Sequence, residues 1–147
     1  MINFVTGEHL LKKIIIDSDL DQARQLEEQM LVDVAQHGFS EAEVFAIKLA
    51  LEEAFANAIK HGNSYDAAKK VQIEYKVDST QASFCIADDG PGFKPCAVPD
   101  PTVDENLEVT SGRGLMLMRA YMDEVSYNDR GNCVHLVKRR QIADEVA

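Results

Sequence analysis

The segment Glu41–Lys60 constrains the fold more than any other part of this 147-residue sequence. Ser40 followed by Glu43 is a capping-box signature for a helix start, and His61-Gly62-Asn63 is a stop signal. Between Val44 and Ile59 the only fully charged residues are Lys48, Glu52 and Glu53. A helix ringed by apolar residues must be covered on most sides, so the rest of the chain has to wrap it. Glu53, Asn57 and His61 stand four apart and share one stripe, which Ala46 and Ala50 extend toward the N-terminus. That stripe reads as the small-residue floor of a cavity, with a carboxylate and an amide projecting into it. An exposed Glu/Asn edge fits the same spacing.

The flanking segments supply the cover. Leu10–Asp17 is β-branched and reads as a strand. Ser18 or Asp19 can cap a helix through Leu20, Ala23, Leu26, Met30, Leu31 and Val34, which Gly38 ends. Lys70–Val77 and Ala82–Ala87 alternate as strands around a hairpin at Asp78–Gln81. Phe93–Ser111 has no usable period, and four prolines fall between Pro91 and Pro101. A stretch this long inside one domain predicts a lid or binding loop. Gly112–Asp123 then reads as a helix, and Glu124–Tyr127 with Cys133–Arg139 as a last hairpin. The expected fold is α+β, a two-layer sandwich of a mixed, mostly antiparallel sheet with helices on one face, formed by residues 1–147 as a single domain.

Charge and cysteine content narrow the function. With 15 Lys and Arg against 25 Asp and Glu, the formal net charge is −10, which argues against nucleic acid as a direct partner. A polyanion such as a nucleotide would have to be held by main-chain N–H groups, helix N-termini, a few cations or a divalent metal. Cys85, Cys96 and Cys133 form no CxxC pair and read as reduced thiols, with Cys85 packed as a small hydrophobe in an apolar run. No run reaches the length of a membrane span, and Met1–Lys13 lacks the features of a secretory signal, so a cytoplasmic protein is expected.

Two glycine-rich segments accompany the helix. Asp88-Asp89-Gly90-Pro91-Gly92 follows an apolar strand; its glycines permit close approach of a ligand, and its carboxylate can accept from an exocyclic amine, although D-G and P-G pairs also make plain turns. Thr110-Ser111-Gly112-Arg113-Gly114-Leu115 places hydroxyls, two glycines and one cation at a helix N-terminus, an anion-binding arrangement that could equally be a capped helix start. It matches neither the P-loop nor the dinucleotide fingerprint, and the HRD and DFG signatures of protein kinases do not occur. The four histidines, His9, His37, His61 and His135, form no metal pair.

Taken in order, Glu53–Gly62, Asp88-x-Gly90-x-Gly92 and Ser111–Leu115 resemble the N, G1 and G2 boxes of the ATPase superfamily that contains gyrase, Hsp90, the histidine kinases and MutL (the Bergerat-type ATP-binding fold). More narrowly, with Met122-Asp123-Glu124-Val125 and the strand around His135–Lys138, the sequence resembles the bacterial anti-sigma factors that are also serine protein kinases. The resemblance runs from the first strand to about Arg140. It implies ATP and Mg²⁺ as ligands, with Asn57 on the metal and Glu53 as general base. It further implies that Asp88 binds the adenine amine with Gly92 at the base edge, and that Gly90 and Phe93 belong to the same nucleotide site. Ser111, Gly112, Arg113, Gly114 and Leu115 would lie at the phosphates, His61 would support the site, and residues 93–111 would form the ATP lid. The implied partners are a STAS-type anti-sigma factor antagonist and a sigma factor, and the implied assembly is a homodimer.

The lid, with Pro95, Pro99, Pro101 and Asn106-Leu107-Glu108, departs from the familiar form of the family. Two readings follow: a kinase acting on a serine or threonine of the antagonist, or a nucleotide-dependent binding module with little kinase activity. The ATP-binding part of a histidine kinase is disfavoured, because the sequence has no helix pair with a phosphoacceptor His upstream of the domain.

Overall fold

The computed structural model describes residues 11–90 and 110–141. Five strands, β1 (Lys12–Asp17), β2 (Lys70–Val77), β3 (Gln81–Asp88), β4 (Glu124–Tyr127) and β5 (Cys133–Arg139), form one sheet in the order β1-β2-β3-β5-β4. Every pairing in it is antiparallel, so the mixed element of the expected sheet is absent among the described strands. Three helices, α1 (Leu20–Gln36), α2 (Glu41–Ala56) and α3 (Thr110–Tyr121), supply the second layer. The α+β two-layer sandwich is the observed fold.

Strand alternation decides which face is covered. Val71, Ile73, Tyr75 and Val77 of β2, Ala82, Phe84 and Ile86 of β3, and Val134 and Leu136 of β5 point inward and are buried. They meet Met30 and Val34 of α1, Ile47, Leu51 and Phe55 of α2, and Leu115 and Met118 of α3 in one core. Phe84 is fully buried and its ring stacks on Tyr75 with centroids 6.0 Å apart. Burial of a side chain of this size contributes about 1.5–3 kcal/mol. The intervening residues of the strands lie on the open face. Cys85 belongs there, half-buried beside Cys133, rather than in the core where its apolar run suggested. The two thiols are brought together because Cys85 pairs with His135 and Ala87 with Cys133, which sets the cysteines diagonally across the β3–β5 ladder.

The N-terminus of α2 forms the expected capping box, with Ser40 Oγ accepting from Glu43 N–H at 3.1 Å and Glu43 Oε1 accepting from Ser40 N–H at 2.8 Å. The helix is covered as its composition required, by α1, α3 and the sheet. Its C-terminal end differs from a plain helix to Lys60. After Ala56 the chain widens into a π-turn, Asn57–Gly62, closed by Asn63 N–H to Ala58 O at 2.8 Å. Ser64 and Tyr65 follow with φ of 51° and 59°, left-handed conformations unusual outside glycine. The cause lies beyond the helix. Asn63 is fully buried and bonded to three other segments, which fixes where the helix must end.

β1 is anchored to α1 by a second polar group. Asp33 accepts from Lys12 Nζ at 2.6 Å and from the Tyr75 hydroxyl at 2.8 Å, and Lys12 also lies 5.4 Å from the Tyr75 ring centre. Among the described residues no helix is long and apolar enough to cross a membrane.

Glu27 is a stability liability. It is 5% exposed on α1, and burial, then the charge of Glu52, pushes its carboxyl up to about 7, with Lys48 acting in the opposite direction. A folded-state pKa above the unfolded one means that folding takes up a proton. Stability is therefore greatest below the ordinary glutamate range and falls as pH rises through about 7. Replacing Glu27 by Gln should raise stability at pH 8 by about 1–2 kcal/mol, allowing for solvent screening near the exposed Glu52, and should leave it little changed near pH 4. Urea denaturation at the two pH values measures the difference.

Candidate functional site

Glu53 and Asn57 lie one turn apart where α2 passes into the π-turn, and α3 packs against them at Gly114. A Cβ added to Gly114 would sit 2.8 Å from Glu53 Oε1, closer than real Cβ contacts come, and a tight 3.0 Å from Asn57 Nδ2. The carboxylate and the amide therefore converge on one point, and glycine at 114 is what permits it. Both amide atoms of Asn57 are buried and have no hydrogen-bond partner among the described residues. Tyr127, on the inner face of β4, is near enough to feel the amide: burial pushes its phenol up to about 12, with Asn57 pulling the other way. An orphaned buried amide costs about 1–3 kcal/mol, which makes Asn57 a candidate ligand-binding group. A side-chain oxygen in this position suits Mg²⁺, which takes hard oxygen donors and keeps part of its water shell.

The helix end carries the second half of the site. Gly62 packs its main chain against the Asp88 carboxylate, and Gly90 packs against the Gly62 carbonyl; a Cβ on either glycine would overlap those atoms. Asp88 ends β3 with its carboxylate accepting from Gly90 N–H at 2.8 Å. Burial is the largest influence on that carboxyl and raises its pKa, against which the Gly90 N–H acts. Asn63 completes the frame. Its amide donates to Ser18 Oγ at 2.9 Å and to the Lys70 carbonyl at 3.0 Å, and its oxygen accepts from Asp89 N–H at 2.8 Å.

The structure thus groups Glu53 and Asn57 with Gly114, and Asp88 and Gly90 with Gly62; Tyr127 lies within electrostatic reach of Glu53, Asn57 and Asp88. Ser111, Gly112 and Arg113 stand within the first turn of α3, because the helix starts at Thr110, two residues earlier than the glycines suggested. The free N–H groups of the first turn then belong to Thr110–Arg113 themselves; the side chains of these residues lie outside the described part. Leu115 is buried in the core behind Gly114 rather than facing the opening. His61 is exposed on the π-turn, and it is Gly62 that meets Asp88. Ala46 and Ala50, expected along the cavity floor, are buried, Ala50 within the core. Gly92, Phe93 and residues 93–109 of the proposed lid lie outside the described residues.

Sequence reasoning passed over Gly62 and Asn63, which read as a helix stop, and the turn Asn128–Asn132, which read as a plain hairpin. In that turn Asn128 Oδ1 accepts from Gly131 N–H at 2.8 Å and Asn132 N–H at 3.0 Å, and Asn132 exchanges two bonds with the Asp88 main chain, both 2.9 Å. Three asparagines whose side chains bond main-chain groups are the signal that was available.

Two substitutions test this frame. Gly90→Ala forces a Cβ against the Gly62 carbonyl, a main-chain group that cannot swing aside, and should cost about 1–3 kcal/mol. Asn63→Ala strands the Asp89 N–H and the Lys70 carbonyl and should cost about 2–4 kcal/mol. Chemical denaturation midpoints measure both, and a loss under 0.5 kcal/mol, the range of ordinary surface changes, would contradict the role assigned to either residue.

Residues 16–138 match the family of histidine kinase-like ATPase domains. The sequence is 32% identical over 111 residues to the serine-protein kinase RsbW of Bacillus licheniformis, covering 69% of this chain and 68% of that one. It is 30% identical over 104 residues to the anti-sigma F factor of Clostridium perfringens, covering 68% of this chain and 74% of that one. The fold is similar to the crystal structure of the RsbU and RsbW domains of Rv1364c from Mycobacterium tuberculosis, with a TM-score of 0.59 and 15% identity, over 89% of this chain and 32% of that longer one. The buried amide, the Asp88 loop and the glycine at the start of α3 are thus features of a chain that belongs to the histidine kinase-like ATPase family, in the branch of the RsbW serine-protein kinases and anti-sigma F factors.

Proposed function

We propose that this protein binds Mg-ATP and transfers the γ-phosphoryl group to a serine or threonine of an anti-sigma factor antagonist, and that it also sequesters a sigma factor. The observation that carries the reading is the unpartnered, buried Asn57 amide beside Glu53 under Gly114. Relatives at about a third identity named as serine-protein kinases and anti-sigma factors support it.

Each residue has a role that follows from its position. Asp88, held by the Gly90 N–H, accepts from the adenine amine; Gly92 and Phe93 complete the base edge. The first turn of α3, from Thr110 through Arg113, offers main-chain N–H groups and one cation to the phosphates, and Gly114 keeps the approach to Glu53 open. Asn57 would hold Mg²⁺ through Oδ1, and the ion when bound neutralises charge on the β- and γ-phosphates. Glu53 accepts the proton of the attacking hydroxyl as its oxygen bonds to the γ-phosphorus and the bond to the β-phosphate oxygen breaks, giving ADP and a phosphoprotein. His61, exposed beside Gly62, supports the end of the π-turn. Residues 93–111 close over the nucleotide as a lid, the antagonist is of the STAS type, and the working form is a cytoplasmic homodimer.

Incubation with Mg-ATP and the antagonist should yield phosphoantagonist and ADP in equal amounts. Glu53→Ala should slow transfer by about 10²–10⁴-fold while retaining ATP binding. Asp88→Asn should weaken ATP binding about tenfold or more by calorimetry. Nucleotide-dependent capture of the antagonist with no transfer would replace the kinase with a binding module, and undiminished transfer by Glu53→Ala would remove its role as base.

A further inference from the structure

The turn between β4 and β5 grips the Asp88 loop at three points. Asn132 Nδ2 donates to the Asp88 carbonyl and Asp88 N–H donates to the Asn132 carbonyl, each at 2.9 Å. Arg130 donates from its guanidinium to the Gly90 carbonyl at 3.1 Å. Gly90 is the same residue whose N–H holds the Asp88 carboxylate. The turn is itself stiff: Asn128 Oδ1 accepts from Gly131, Asn132 and Cys133, Asn128 Nδ2 donates to Asn132 Oδ1, and Gly131 takes a φ of 76°.

We propose that Arg130 determines base specificity, by fixing the Asp88 loop so that the site takes a 6-aminopurine in preference to a 6-oxopurine. The inference rests on the reading of Asp88 as the base-recognising group. A carboxylate accepts from an amine and repels a carbonyl, whereas a protonated carboxyl can donate to a carbonyl, so discrimination depends on the charge at Asp88. The groups around it set that charge. Burial disfavours it most, the Gly90 N–H favours it, Asp89 on the same loop disfavours it, and Arg130 and Lys69 favour it. Tyr127 from β4 and Cys133 from β5 also lie within electrostatic reach, and the π-turn presents the uncharged Gly62 main chain. Arg130 is the cation joined by a hydrogen bond to the loop itself.

The test is the ratio of affinities for ATP and inosine triphosphate, measured calorimetrically with Mg²⁺ from about pH 5 to about pH 8. The wild-type protein should prefer ATP and lose that preference toward acid pH. In Arg130→Gln the loss should begin at higher pH, with the ratio about threefold below wild type at the acid end, as expected of an exposed charge. Arg130→Lys should follow the wild-type profile. A wild-type profile in Arg130→Gln, or a Lys variant no better than Gln, would overturn the proposal. Asp88→Asn separates the two levels of the argument: it should abolish the preference at every pH. If it does not, the assignment of Asp88 is wrong; if it does while Arg130→Gln matches wild type, only the role of Arg130 fails.

Discussion

From full burial, the Asn63 amide donates to Ser18 Oγ and the Lys70 carbonyl and accepts from the Asp89 N–H. Those bonds join the entrance to α1, the start of β2 and the loop after β3 to the end of the long buried helix. A polar group at such depth holds its position only when its bonding capacity is met, and here that requirement dictates the helix ending. Because Asn63 is fixed from outside, the last turn of the helix widens into a π-turn and the chain leaves through two left-handed residues. The same widening delivers the Gly62 carbonyl to Gly90 and the Gly62 main chain to the Asp88 carboxylate. Helix end and strand end are thereby packed together, with the Gly62 carbonyl against Gly90 and the Asp88 carboxylate against Gly62.

Asn57 presents the opposite case six residues earlier. Its amide atoms are buried too, yet they have no bonding partner among the described residues. A fold able to satisfy Asn63 three times over has the means to pair Asn57, so the unpaired amide is the observation on which the proposed metal-binding role rests. Glu53 beside it and Gly114 above it complete the contrast, since a residue larger than glycine at 114 would fill the space that the two polar groups share.

The fold was legible wherever one local signal fixed one element. The Ser40/Glu43 box, the alternation of Lys70–Val77 and the antiparallel hairpins all appear where the sequence puts them. The candidate site residues Glu53, Asn57, Asp88 and the glycines could be named from the sequence by type and order. What could not be read was set by distant partners. The π-turn depends on bonds from Asn63 to residues as far away as Ser18, the burial of Leu115 on how α3 settles into the core, and the Cys85–Cys133 pairing on strand register. The clamp on Asp88 from Asn132 spans 44 positions, and a short polar turn carries no local trace of it.

We propose that the Asn57 amide is held in reserve for a metal-bound nucleotide. Its side-chain amide resonance, followed by nitrogen-edited NMR, tests this most directly. Addition of ATP with Mg²⁺ should shift that resonance, while ATP in the presence of a chelator should leave it near its starting position. A resonance that does not move with Mg-ATP, or that moves equally without the metal, would contradict the account.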